Sequence, residues 1–233
     1  MNIPADKILY GSLIGAAVLL TRIPYAGKFF RLIDTLIHES AHALMALVLS
    51  GSVDRIDLFA NTEGQAVTRS KGKFAWIMIS LAGYIGSSLV SFGLFLLLSR
   101  GYFNAVLYFF IGVCLVNLLL WVRNGYGIFF LLLFGSMCGL TAYAQLPLLT
   151  KCITILFCAL LWMDALISSA IVLYLSVAQT KNSGDAWSLK QTTKIPAFLW
   201  GLLFFIQALC FSYLTLAVYF PLPLPVWMNF LKI

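Results

Sequence analysis

The sequence predicts an all-α polytopic membrane protein of about seven transmembrane helices (six to seven), with a short β-hairpin after the second. Three observations carry that prediction. Of the 233 residues 62% are hydrophobic and only 10% are charged, whereas a soluble domain carries about 25% charged residues. The apolar residues fall in continuous runs that approach or exceed the roughly 20 needed to cross a bilayer. The charged and turn-forming residues gather between those runs. The chain therefore reads as one integral membrane domain over 1–233, multi-pass, with the lipid bilayer as its surroundings.

The runs cover 8–21, 33–50, 75–98, 103–122, 125–143, 152–177 and 195–219. Each should be helical, because lipid offers no partner to an exposed backbone amide. The first two are short and suit a tilted or re-entrant path. The N-terminal run follows Lys7 without a small-residue cleavage site, which predicts a retained span. Residues 51–73 form the first long connection, expected outside the membrane. Gly51 stops the preceding helix, Val53 to Leu58 alternate, Asn61 to Gly64 is turn-like, and Gln65 to Arg69 return, so a hairpin is expected. The second connection, 178–194, is a polar loop in which Ser183-Gly184-Asp185 starts a short helix. The tail PLPLPVWMNFLKI offers Trp227 and Lys232 as interfacial anchors.

The net charge of +7 does not point to nucleic acid, because the basic residues are spread between spans with no aromatic-basic cluster. They act instead as anchors and topology signals. With seven spans, nine of the 15 Lys and Arg lie on the side of both long connections, which favours that side as cytoplasmic. The five cysteines lie in or near apolar runs with no CxxC pair, as expected of buried thiols.

The one stretch of apolar helix that carries chemistry is HESAH, residues 38–42. His38 and His42 are four apart and share a helix face. They bring two imidazole nitrogens to one point, as a tetrahedral zinc ion needs. Glu39 is then placed to act as general base on an activated water. The chain has only two His and two Glu (Glu39 and Glu63). Chance assembly of the pattern has a probability on the order of 10⁻⁴. Ionisable groups inside a membrane are costly and usually functional. Asp34, one turn back, caps the helix or orients His38 from behind. Ala82, Gly83, Gly86 and Ser87 repeat at four-residue spacing and permit close packing against this helix.

These residues resemble the site-2 protease superfamily of intramembrane zinc metalloproteases, and most closely its branch of small B-type, site-2-protease-like peptidases. HESAHALMALVLSG is similar to the family's HExGHxxxAxxxxG segment. LAGYIGSSL, residues 81–89, resembles the small-residue helix that follows. SGDAWSLKQTTKIPAFLWGLLF, residues 183–204, is similar to that branch's Ser-Asp-Ala, Thr-x-Ile-Pro and Trp element, with Gly184 intervening. The resemblance implies a zinc metalloendopeptidase acting on membrane protein substrates, of the kind used in regulated intramembrane proteolysis. It implies zinc on His38 and His42, with Glu39 catalytic. In VNLLLWVRNGYG, residues 116–127, Asn124-Gly125 stands where the wider superfamily carries an Asp-Gly ligand. The third ligand is then Asp164, the one acid within the later spans, or Asp185 from the polar loop. Asn124 becomes a residue that polarises substrate or transition state. The edge of the hairpin, with Ile56 as an edge position, is expected to take substrate as an added strand. The competing reading is a non-proteolytic metal-binding scaffold derived from such a protease. A transporter would show paired repeats with broken helices, and the sequence has neither.

Overall fold

The computed structural model describes residues 5–219. Within them the chain forms eight α-helices and one two-stranded hairpin. The order is α1 (Ala5–Leu20), α2 (Ala26–Val48), β1 (Ser52–Leu58), β2 (Gly64–Arg69), α3 (Lys73–Ser99), α4 (Phe103–Val116), α5 (Gly125–Ala144), α6 (Pro147–Ala178), α7 (Asp185–Thr193) and α8 (Ala197–Tyr219). The tail that holds Trp227 and Lys232 lies outside these residues.

Five helices are long and apolar enough to cross a membrane: α3, α4 with its π-helical extension Asn117–Trp121, α5, α6 and α8. The apolar part of α1, Ile8–Leu20, is shorter. At 1.5 Å per residue it reaches about 20 Å, against a hydrocarbon core of about 30 Å. Helix α2 has the length, at 23 residues, but Lys28, Arg31, Asp34 and Glu39 interrupt its apolar run. Large apolar side chains such as Leu119, Leu132, Leu140 and Leu203 face outward, the arrangement lipid favours over water. Inside, Phe110, Phe130, Phe134 and Phe157 join α4, α5 and α6 through edge-on, tilted and stacked ring contacts.

Helix α2 begins seven residues before the expected residue 33. Pro24 and the tight turn in which the Ala26 amide reaches the Pro24 carbonyl (2.8 Å) set its start, and Lys28 and Arg31 had hidden that first part from an apolar count. Asp34 is therefore mid-helix and caps nothing.

Helix α3 runs antiparallel to α2 at close range. A side chain on Gly86 would meet Ala41, so the small residues of the two helices face one another. Between them the chain makes the hairpin, which folds back along α2. Its base sits where Gly51 lies between Arg69 and Ala46. Its tip is held where Thr35 Oγ1 donates to the Thr62 carbonyl (2.9 Å). Ala46 and Thr35 are about 16 Å apart along the helix, so the hairpin runs beside the helix rather than projecting from its end.

Strand β1 is fixed on its other side as well. Ile56 forms a parallel bridge with Val122. The Asn124 side chain receives the Leu58 amide at 3.1 Å and donates to the Leu58 carbonyl at 2.5 Å. The side-chain amide thus replaces a neighbouring strand, with two hydrogen bonds worth about 0.5–1.5 kcal/mol each. Ile56, fully buried, is on the inner strand of the pair. The free edge belongs to β2.

The polar stretch 178–194 is ordered as a 3₁₀ turn, Thr180–Asn182, followed by α7. Helix α7 is amphipathic over its short length. Ala186 and Leu189, three apart, are buried with Val172 of α6 and Ala197 and Phe204 of α8. That small apolar cluster pulls the segment inward and brings its first residue, Asp185, against α2.

Candidate metal centre

Helix α2 presents the His38 and His42 rings edge to face, with centroids 4.7 Å apart. Their Nε2 atoms are 3.0 Å apart. Asp185 Oδ2 lies 3.2 Å from each. Among the described residues this is the group of three His, Cys, Asp or Glu side chains that converge closely enough to share one metal ion. A tetrahedral zinc ion with ligand atoms at about 2.0–2.1 Å separates those atoms by about 3.3 Å. The donor set and its spacing therefore fit that ion, with the cavity side left open as a catalytic site requires.

Each of these side chains is oriented from behind. His42 Nδ1 donates to the Ile79 carbonyl of α3 at 2.6 Å, which fixes the ring with Nε2 facing Asp185. The His38 ring lies edge-on to Tyr84, centroids 4.6 Å apart. Gly83 sits directly beneath both rings, and a Cβ there would collide with His38 Nε2 and His42 Nε2. Behind the motif, Ser40 Oγ receives a hydrogen bond from buried Asn117 Nδ2 at 2.9 Å, which ties α2 to the π-helical end of α4. For Asp185 the turn matters: Gly184 takes φ +52°, a left-handed value that glycine adopts without steric cost. Ser183, fully buried, anchors the turn by donating to the Thr180 carbonyl at 2.7 Å. Burial pushes the Asp185 carboxyl up. Positive charge on the His42 and His38 imidazoles more than offsets this and holds it well below the usual carboxylate range.

Glu39 lines the same cavity as the three converging atoms and packs against β2 at Gly64. Its carboxylate lies within reach of the Ala66 amide. A side chain on Gly64 would strike both Glu39 and Thr35, so only glycine lets the strand come this close. Glu39, the imidazoles, Asp185 and the β2 edge line one cavity of about 640 Å³.

The other residues singled out in the sequence lie elsewhere. Asp164 is buried on α6, with Oδ1 3.3 Å from Arg31 Nε, outside the converging group. Asp34 is buried one turn from His38 and accepts from Ser168 Oγ at 3.2 Å, with no hydrogen bond to that imidazole. Arg31, Asp34, Asp164 and Ser168 thus make a polar patch beside the imidazoles, in which Arg31 offsets the charge of Asp164. Asn124 is committed to Leu58. Sequence reasoning missed Tyr84, Arg31, Asn117 and the Ile79 carbonyl. Arg31 alone had left a signal, as a cation on the face of a helix that also carries Asp34 and His38.

A membrane bundle that gathers HExxH imidazoles and a carboxylate at an internal cavity has the form of a membrane-embedded peptidase. The family model described as Peptidase M50B-like matches residues 12–215, and the chain belongs to that family, the site-2 protease family. It is an integral, multi-pass membrane protein. No curated protein and no solved structure matches it.

The packing under the rings generates one expectation. Gly83→Ala adds a methyl group that must displace both imidazoles, while its helix propensity favours α3 by about 1 kcal/mol. The variant should remain folded in detergent, by circular dichroism, and lose divalent metal. Retention of wild-type metal content would show that the rings are not held as described.

Proposed function

We propose that the protein is an intramembrane zinc metalloprotease that hydrolyses peptide bonds in or near transmembrane segments of other membrane proteins. The observation that carries this reading is the approach of His38, His42 and Asp185 to within 3.2 Å of one another beside Glu39, in a cavity of about 640 Å³. His38 Nε2, His42 Nε2 and Asp185 Oδ2 would hold the ion. Zinc bound there supplies a Lewis acid that polarises a carbonyl and makes water acidic enough to deliver hydroxide near neutral pH. Glu39 takes the proton of the attacking water and passes it to the leaving amine. The remaining residues orient these groups and limit access to bulk water.

The β2 edge supports a mode of substrate binding. The Phe59 amide donates to the Glu63 carbonyl at 2.9 Å. Along an antiparallel ladder the hydrogen-bonded pairs then alternate. Gly64 and Ala66, opposite Leu58 and Ile56, turn their own amides and carbonyls away from β1 and towards the cavity. An unwound substrate segment can pair with that edge as an added strand, with its carbonyl carbon passing Glu39. Proline is tolerated where a strand's N–H faces outward. Ala66→Pro should therefore keep fold and metal while raising KM for a transmembrane substrate and, because the Ala66 amide also reaches Glu39, lowering kcat; an unchanged KM would remove β2 from substrate binding.

The proteolytic and scaffold readings separate on Glu39. Glu39→Gln keeps size and hydrogen bonding but removes the base. It should retain zinc and lose cleavage of a co-expressed transmembrane substrate by at least about a hundredfold. His42→Ala, which deletes a ligand, should lose both. A scaffold predicts that Glu39→Gln is silent in every assay while His42→Ala disturbs stability, and that outcome would reject the protease.

A further inference from the structure

Peptide hydrolysis at this site needs one more group. When water adds to the scissile carbonyl, the C=O electron pair moves to oxygen, and a hydrogen-bond donor aimed at that oxyanion lowers the barrier. The residue the sequence suggested, Asn124, is spent on Leu58. Arg31 is paired with Asp164. The hydroxyls of Thr35, Ser168 and Ser183 donate to the Thr62 carbonyl, to Asp34 and the Ala165 carbonyl, and to the Thr180 carbonyl.

Tyr84 differs from all of these. It lines the cavity. Its ring is clamped between His38, at 4.6 Å, and Phe204, at 4.5 Å between centroids. Its hydroxyl makes no hydrogen bond to any described residue, and it is within electrostatic range of the Asp185, Asp34 and Glu39 carboxylates. Asp185 marks the metal-ligand side of the reacting space and Glu39 marks the base side. Tyr84 stands at this space, with its ring against His38 and its hydroxyl uncommitted in the same cavity.

Resting on the proteolytic reading above, we propose that Tyr84 is a further catalytic residue, whose phenol O–H donates a hydrogen bond to the oxyanion formed as water adds to the scissile carbonyl. The step balances within the groups named. The water oxygen bonds to the carbonyl carbon, the carbonyl electron pair moves to oxygen, and Glu39 takes the water proton. On collapse the C–N bond breaks, the oxyanion returns its electron pair, and Glu39 protonates the amine. Tyr84 keeps its proton throughout, so it needs no reprotonation between turnovers. Its ring, packed against His38 and Phe204, restrains the donor, as a preorganised oxyanion site requires.

Tyr84→Phe tests this, because it deletes only the hydroxyl and leaves the ring against His38 and Phe204. The variant is compared with the wild type in detergent or vesicles for metal content, kcat, KM, and affinity for a substrate peptide carrying a tetrahedral phosphinate in place of the scissile amide. The proposal expects kcat to fall about a hundredfold, KM and metal content to be unchanged, and phosphinate affinity to fall in step with kcat. Activity within a few-fold of wild type would overturn it. So would loss of metal, or a rise in KM with kcat kept, since either outcome makes Tyr84 a packing residue. A wild-type protein that holds zinc and cleaves nothing would instead bring down the proteolytic reading, and Tyr84's role with it.

Discussion

Two imidazoles and a carboxylate held within 3.2 Å of one another inside an apolar bundle are costly to bury. Each must be paired, and the fold is arranged to do so. Helix α2 sets the imidazole spacing. Helix α3 comes close enough, through Gly83 and Gly86, to give His42 the Ile79 carbonyl and to leave room for both rings. Helix α7 contributes the carboxylate, and it does so because Ala186 and Leu189 bury themselves against α6 and α8. Removing that apolar contact would leave Asp185 in a polar loop, and the imidazoles without their anion.

Much of this arrangement was legible in the sequence. The HESAH spacing stands out against an apolar background with no other histidine, and the small-residue pattern at 82–87 matches the close packing seen at Gly83 and Gly86. The alternation of 53–58 appears as β1. Other features depended on tertiary context. The start of α2 was obscured because exposed Lys28 and Arg31, which pairs with Asp164, look in sequence like a helix boundary. Asp164 resembled a ligand because it is a lone acid in an apolar run. Its partner, Arg31, comes from a helix more than a hundred residues away, and no periodicity links the two. Asp185 stood only level with Asp164 because the burial of α7 is written in only two apolar residues.

Asn124 shows how one substitution relative to a family pattern propagates. An amide there can both donate and accept, and it does both with the backbone of Leu58. A carboxylate at that position could only accept. The side chain that fixes β1 thereby frees β2 as the open edge of the hairpin and leaves Gly64 against Glu39. The carboxylate that faces the two imidazoles comes from a short helix whose entry turn uses Gly184 at positive φ.

The central claim is that Asp185, and not Asp164, completes the metal centre with His38 and His42. It is tested most directly by zinc content and zinc X-ray absorption on the full-length protein and on Asp185→Asn and Asp164→Asn. The account predicts about one zinc per chain in the wild type, bound by two imidazole nitrogens and a carboxylate oxygen with an open position. It predicts a large loss of zinc in Asp185→Asn and retention in Asp164→Asn. Zinc kept at wild-type affinity in Asp185→Asn but lost in Asp164→Asn would contradict it.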